Sequence, residues 1–319
     1  MSASEPFPSF DGCGVLAAAQ PLRRPQGAVT PAHPRAARAL EAIERGHTKA
    51  ARAHLDALPA EESLDGAWRI LLSGLLALQQ SELEPARELL LRAASLAPVW
   101  TTAGGPTDLS AALRLSARAL ESVGWIFRRQ DHPEQAYRAH LAAFHARCEH
   151  GSIEEVWESA VSLGLDADLA RRYDVAQNWY HQAIAQAATA SQEPHRRQAV
   201  AWAHLTSSHV EAGQFLEAVS AARTARDCWR RHDPGCLAAA LADVKLGYAL
   251  LKLGQSQYES DPGDARAVLV EAVQWLTTSR EGLRAFGEPQ MADVQWCDEQ
   301  LDFAARLLAG LPSPGQSEP

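Results

Sequence analysis

Between Trp202 and Ala225 the apolar and small positions fall at Trp202, Leu205, Gly213, Ala218, Ala222 and Ala225, within the run WAHLTSSHVEAGQFLEAVSAARTA. Each side of Gly213 has helical spacing, so the run predicts two helices that reverse at a glycine, with small residues where they come close. The template recurs along the chain. Aligned on the small residue that opens each second helix, it gives Ala51, Ala86, Ala136, Ala176, Ala218 and Ala265. Twelve residues before four of these stands another compact residue, Gly74, Gly124, Gly164 or Thr206. In the sixth pair Gly247, preceded by Leu246, takes that role, and the turn lengthens by six residues through QSQYESDPGD. Beyond Gly287-Glu288-Pro289 a closing helix is expected over about Gln290 to Ala309, with Val294, Leu301, Ala304, Ala305 and Leu308 on one face.

Polar residues at element ends support these boundaries. Ser81 with Glu84, Asp131 with Glu134, and Ser152 with Glu155 have capping-box spacing. Asp261-Pro262 reads as an N-cap followed by a proline in the first turn, where its missing donor costs nothing. The segment Val99 to Ser110 contains Gly104-Gly105-Pro106 and reads as a connector that carries Trp100. Residues 1–30 hold Pro6, Pro8, Pro21 and Pro25 and read as an extended or disordered arm, with Phe7 and Phe10 as anchors that could dock on the helical part. The helical region is placed at 31–309 and a disordered tail at 310–319.

These pairs resemble tetratricopeptide repeats, a superfamily of helix-turn-helix units that stack into a solenoid. The second pair carries the likeness best, with Gly74, Ala86, Leu90, Ala93 and the repeat-closing Pro98. The third has Gly124, Phe127, Ala136 and Ala143, with His140 where a large apolar or aromatic residue is usual. The first pair is weak, as a terminal repeat with one face toward solvent can be. Anchor spacings of 35, 50, 40, 42 and 47 residues exceed the basic repeat and point to the elongated repeats of bacterial regulators. The resemblance implies an all-α, right-handed solenoid of about six helix pairs plus a C-terminal capping helix.

Composition narrows the function. Over 319 residues the formal charge is −9, and no Lys/Arg block is long enough to neutralise a run of phosphates, which argues against nucleic acid as the main ligand. The most apolar stretch, Ile70 to Leu78, is too short to cross a bilayer, so no membrane partner is expected. Five cysteines, with no paired framework and no basic n-region at the start, fit a reducing cytoplasm. Of the nine tryptophans, all but Trp100 fall in predicted helices, where most are expected to fill the core between repeats.

No phosphate-cradling loop, nucleophile elbow or HExxH is present, and no catalytic residue or cofactor is expected. Two His/Cys clusters, His140-His145-Cys148-His150 and Cys228-His232-Cys236, lack the spacing of a zinc knuckle, and no metal site is assigned to them. In the family the first helix of each pair lines the inner surface. Carried across, that places Leu71 and Leu75 on an apolar floor beside Glu121, Trp125, Arg128 and Arg129, where Trp and Arg could hold an apolar anchor and an acidic group of a bound segment. The family's best-known clamp for a terminal carboxylate uses Lys and Asn. Here Glu121, Trp125, Val161 and Leu165 stand at the matching positions, which argues against that activity.

The expected function is therefore a non-catalytic scaffold or regulatory subunit that binds another protein or a peptide segment. Two alternatives stay open: a peptide or small-ligand sensor whose solenoid changes curvature, and a self-assembling structural protein.

Overall fold

A computed structural model describes residues 31–58, 64–100, 106–189, 193–287 and 290–312. The arm 1–30, with Phe7 and Phe10, lies outside the described residues, as does the tail from 313. Among the described residues there are thirteen α-helices and no strand. In chain order they are α1 (Pro34–Glu44), α2 (Thr48–Asp56), α3 (Leu64–Gln79), α4 (Leu83–Trp100), α5 (Pro106–Arg129), α6 (Pro133–His150), α7 (Ile153–Leu169), α8 (Tyr173–Thr189), α9 (Pro194–Glu211), α10 (Phe215–His232), α11 (Leu237–Gln257), α12 (Pro262–Arg284) and α13 (Met291–Gly310). They form two units, one ending at Arg172 after α7 and the other beginning at Tyr173 with α8. The fourth predicted pair is thereby divided between them.

Helix starts follow the capping chemistry in two of the four expected places. Ser152 and Glu155 form the complete capping box of α7, and the Asp261 side chain accepts from the Asp264 N–H ahead of Pro262. Ser81 and Asp131 are not caps. Both adopt left-handed backbone, φ 64° and 59°, and the helices begin later, at Leu83 and Pro133. Glu84 and Glu134 instead reach into the following pair: Glu84 accepts from Gln130 and Glu134 pairs with Arg172.

The reason is a shared turn. In five successive pairs one residue takes positive φ, namely Gly46, Ser81, Asp131, Arg171 and Gly213, and each stands five residues before its small anchor. The next amide donates to the carbonyl five residues back: His47 to Ala42, Glu82 to Ala77, His132 to Phe127, Arg172 to Ala167 and Gln214 to His209. This is the bond pattern of a left-handed helix stop, which satisfies orphan carbonyls while reversing the chain. Glycine enters that conformation freely, whereas a side chain pays about 1 kcal/mol or more. Arg171→Gly should therefore raise stability by about 0.5 kcal/mol after the unfolded state's gain in freedom is counted. Gly213→Ala, whose added carbon meets nothing within 4 Å, should lower it by about 1 kcal/mol from the backbone alone. Thermal melts of the two variants moving in the same direction would contradict this account.

Inside each unit the small residues do what their spacing suggests. A side-chain carbon at Gly74 would lie 2.8 Å from Leu90 and 3.4 Å from the Ala86 carbonyl, so α3 and α4 meet without a side chain between them. The sixth pair uses a different glycine from the one expected. A side-chain carbon at Gly254 would lie 2.7 Å from Leu269 and 3.3 Å from the Ala265 carbonyl, reproducing the Gly74 pattern, while one at Gly247 would meet Leu276. The register is thus Gly254 to Ala265, and α11 is a long helix rather than a short one followed by a long turn. The connector before α5 is also shorter than predicted, because α4 runs through Pro98 to Trp100 and α5 begins at Pro106.

The first unit's core runs from Ala36 through Leu71, Leu75 and Leu90 to Ile126 and Ala139. In the second, α10 to α12 bury Ala218, Leu250, Leu269 and Leu276, and α13 covers α11 and α12 with Val294, Cys297 and Ala304. The end of α13 is held by Arg266 of α12, which donates to the carbonyls of Leu308, Leu311 and Pro312. A closing helix needs such a partner for its last carbonyls. Among the described residues no helix is long and apolar enough to cross a membrane.

Candidate functional site

Along α5, Arg114, Glu121 and Arg128 recur every seven residues, and along α7, Glu155, Ser159, Ser162 and Asp166 follow helical spacing. Each set lies on one face of its helix. The two faces meet in parallel. Arg114 Nη2 donates to Glu155 Oε2 at 3.0 Å, Ser162 Oγ donates to Glu121 Oε1 at 3.2 Å, and Arg128 Nε donates to Asp166 Oδ1 at 2.7 Å. Arg128 also donates to the Ser162 carbonyl at 3.0 Å.

From the side, α6 inserts His140 and Arg147. Arg147 pairs with Glu121 and donates to Ser159 Oγ at 2.7 Å. His140, 1% exposed, places Nδ1 2.5 Å from Asp166 Oδ2 and Nε2 3.2 Å from the Glu121 carbonyl oxygen. Each ring nitrogen thus faces an oxygen of a different helix, one on α7 and one on α5. His140 fits because its neighbour on α5 is Gly124, where a side-chain carbon would fall 2.5 Å from the ring. The residue that departs from the repeat pattern is therefore one of the two that join α6 to this charged layer, with Arg147 the other.

Burial alone pushes the Asp166 and Glu121 carboxyls up, but the opposing charges outweigh it. His140 and then Arg128 hold Asp166 below the ordinary aspartate range, and Arg147, His140 and Arg128 do the same for Glu121. Both carboxylates stay ionised, and their charges are needed to offset the arginines they face.

The sequence-predicted site residues divide accordingly. Leu71 and Leu75 have no exposed surface and belong to the first unit's core, so they cannot be a groove floor. The α3 face they occupy packs on neighbouring helices because its leucines are more valuable in the interior than in water. Glu121 and Arg128 are committed to the layer between α5, α6 and α7, with side chains 18% and 16% exposed. Trp125 and Arg129 remain on the surface side of α5. Trp125 is partly buried against the core, and the exposed Arg129 lies with its guanidinium carbon 4.9 Å from the indole centre.

Sequence reasoning missed Asp166, Arg147, Glu155 and the two serines of α7 as a group. The signal was a polar stripe at helical spacing on α7 that matched the charged stripe on α5. Of the two His/Cys clusters, His140 is engaged by Asp166, and His232 packs at 5.8 Å from the Trp229 ring. Among the described residues no group of three His, Cys, Asp or Glu side chains is arranged to hold a metal ion.

No protein-family model matches the sequence, and no curated protein matches it. Solved structures do resemble it in fold. The apo form of RapI superposes with a TM-score of 0.53 at 11% identity, covering 85% of this chain and 96% of that one. The apo form of the quorum sensor NprR from B. thuringiensis gives 0.53 at 12% identity, covering 86% of this chain and 68% of that one. A signal-transduction ATPase with a tetratricopeptide repeat sensor, from Pyrococcus horikoshii, gives 0.57 at 12% identity over 85% of this chain and 41% of that one. This chain thus spans less than half of the last protein. With helix pairs, compact crossing residues and a closing helix all in place, the fold is that of the tetratricopeptide-repeat-like all-α solenoids.

Proposed function

We propose that the protein is a non-catalytic scaffold or regulatory subunit that captures a segment of another protein or a peptide on the surface side of α5. The observation that carries this reading is the exposed Arg129 with its guanidinium carbon 4.9 Å over the ring of the partly buried Trp125 on the same helix. Interfaces concentrate affinity in Trp and Arg anchors of this kind, and a preformed surface saves the ordering cost of binding. Support for the helix comes from the charged layer beneath it, which fixes α5 against α6 and α7. Trp125→Ala should weaken partner capture at least tenfold in a pull-down from the native host, with an unfolding midpoint close to wild type. A proportional loss of both would return Trp125 to the core.

A sensor is the second reading, favoured because two proteins of similar fold are described as sensors. In that case a bound peptide changes the curvature of the stack, and a ligand-dependent change in the small-angle scattering profile is the result to seek. We place the protein in the cytoplasm: Cys148, Cys228, Cys236 and Cys297 are all free thiols, which suits a reducing compartment.

A further inference from the structure

Three arginines of α5 and α6 are already engaged: Arg114 by Glu155, Arg128 by Asp166 and Arg147 by Glu121. Arg129 differs. Among the described residues no carboxylate lies within ion-pair distance of it, and its recorded contact is the Trp125 ring. The acids in the adjoining layer, Glu121 and Asp166, are held by their own cations, so none is available to it. A guanidinium over an indole is attracted to the ring face, and that contact uses none of the hydrogen bonds its N–H edges can donate. Two parallel N–H groups at such an edge match the two oxygens of one carboxylate.

This arrangement changes what the site offers. The indole was expected to receive an apolar anchor, yet the guanidinium lies over it. The group presented to a ligand is therefore a planar cation supported from below. Resting on the binding reading above, we propose that Arg129, backed by Trp125, takes an aspartate or glutamate side chain from an extended acidic segment of the partner. Arg129 touches the ligand, and Trp125 is the positioning residue. A single fork suits a side-chain carboxylate, whereas a chain terminus is held by several converging donors, which the saturated Arg128 does not supply. With a net charge of −9, the protein repels an acidic segment at long range, so discrimination has to arise at this local contact.

The test uses the full-length protein and two phage-displayed random 12-residue libraries, one complete and one in which every Asp and Glu codon is replaced by Asn and Gln. Displayed as internal fusions, these peptides have no free C-terminus. Enrichment from the complete library alone is expected, with Asp or Glu fixed at one position. A synthetic peptide of the enriched sequence should bind Arg129→Gln and Trp125→Ala at least tenfold more weakly than wild type, and Arg129→Lys by an intermediate amount. Amidating its C-terminus should change nothing. Equal enrichment from both libraries, lost with Trp125→Ala but kept with Arg129→Gln, overturns the acidic assignment and leaves the binding site at Trp125. Enrichment that ignores both substitutions overturns the site itself. Because Arg129 is exposed and makes no ion pair among the described residues, Arg129→Gln should fold as wild type, which circular dichroism and the melting midpoint check directly.

Discussion

Asp166→Ala is expected to destabilise the first unit by about 3–5 kcal/mol, the usual cost of removing one partner from a buried charge group. Its carboxylate has no exposed surface and contacts both Arg128 and His140, so truncation leaves the Arg128 guanidinium and the buried His140 ring without their shared partner. Asp166→Asn keeps an acceptor of the same shape and should cost less. The double variant Asp166→Leu/His140→Leu removes the buried ring together with the anion and should recover part of the loss, as apolar replacements of buried pairs do. Urea unfolding followed by circular dichroism reads the change as a shift of midpoint. If Asp166→Ala unfolds within 0.5 kcal/mol of wild type, a figure on the order of surface-substitution noise, the charged layer does not support α5.

Acid should act on the same groups. Since folding depresses the Asp166 and Glu121 ionisations, their stabilisation is complete above the unfolded-state carboxylate range near pH 4, and it is lost as pH falls below that range through the folded-state values. Asp166→Asn should flatten the stability curve in that window. Near neutral pH both carboxylates are ionised and contribute fully.

Gly124→Ala should cost about 2–4 kcal/mol, an overpacking penalty that exceeds the small gain in helix propensity from removing a glycine. The added carbon would lie 2.5–2.6 Å from three atoms of the His140 ring, and that ring is pinned between Asp166 and the Glu121 carbonyl. Gly74→Ala is the informative control. Its clash is with Leu90, at 2.8 Å, a flexible side chain with no polar tether, so the penalty should be smaller. Placing Gly124→Ala in a His140→Ala background should reduce the cost by more than 1 kcal/mol, about the size of coupling found between contacting residues. Additive losses would show that the glycine serves the helix backbone alone and has no part in seating His140.

Much of the architecture is legible along the chain. The anchors from Ala51 to Ala265, the capping box at Ser152, the cap at Asp261 and the closing helix carry local signals, because helical period and end chemistry depend on residues a few positions apart. Where a local pattern admits two outcomes, the tertiary context decides. Ser81 and Asp131 have capping spacing, yet the chain reverses there through a left-handed residue five positions before the anchor, as in five of the six pairs, and that demand overrides the cap. Gly247 and Gly254 are both plausible crossing points on α11, and only the approach of Leu269 and the Ala265 carbonyl identifies Gly254.

The site was harder to read for a related reason. Periodicity reports that Arg114, Glu121 and Arg128 share a face of α5, but it carries no information about what that face meets. Their partners on α7 lie 38 to 41 residues away along the chain, with α6 folded between them. Sequence alone therefore determined the helical class, the anchors of the pairs and the closing helix. The tertiary structure decided which charges are consumed internally, since a Coulomb partner is set by distance in space and not by separation along the chain.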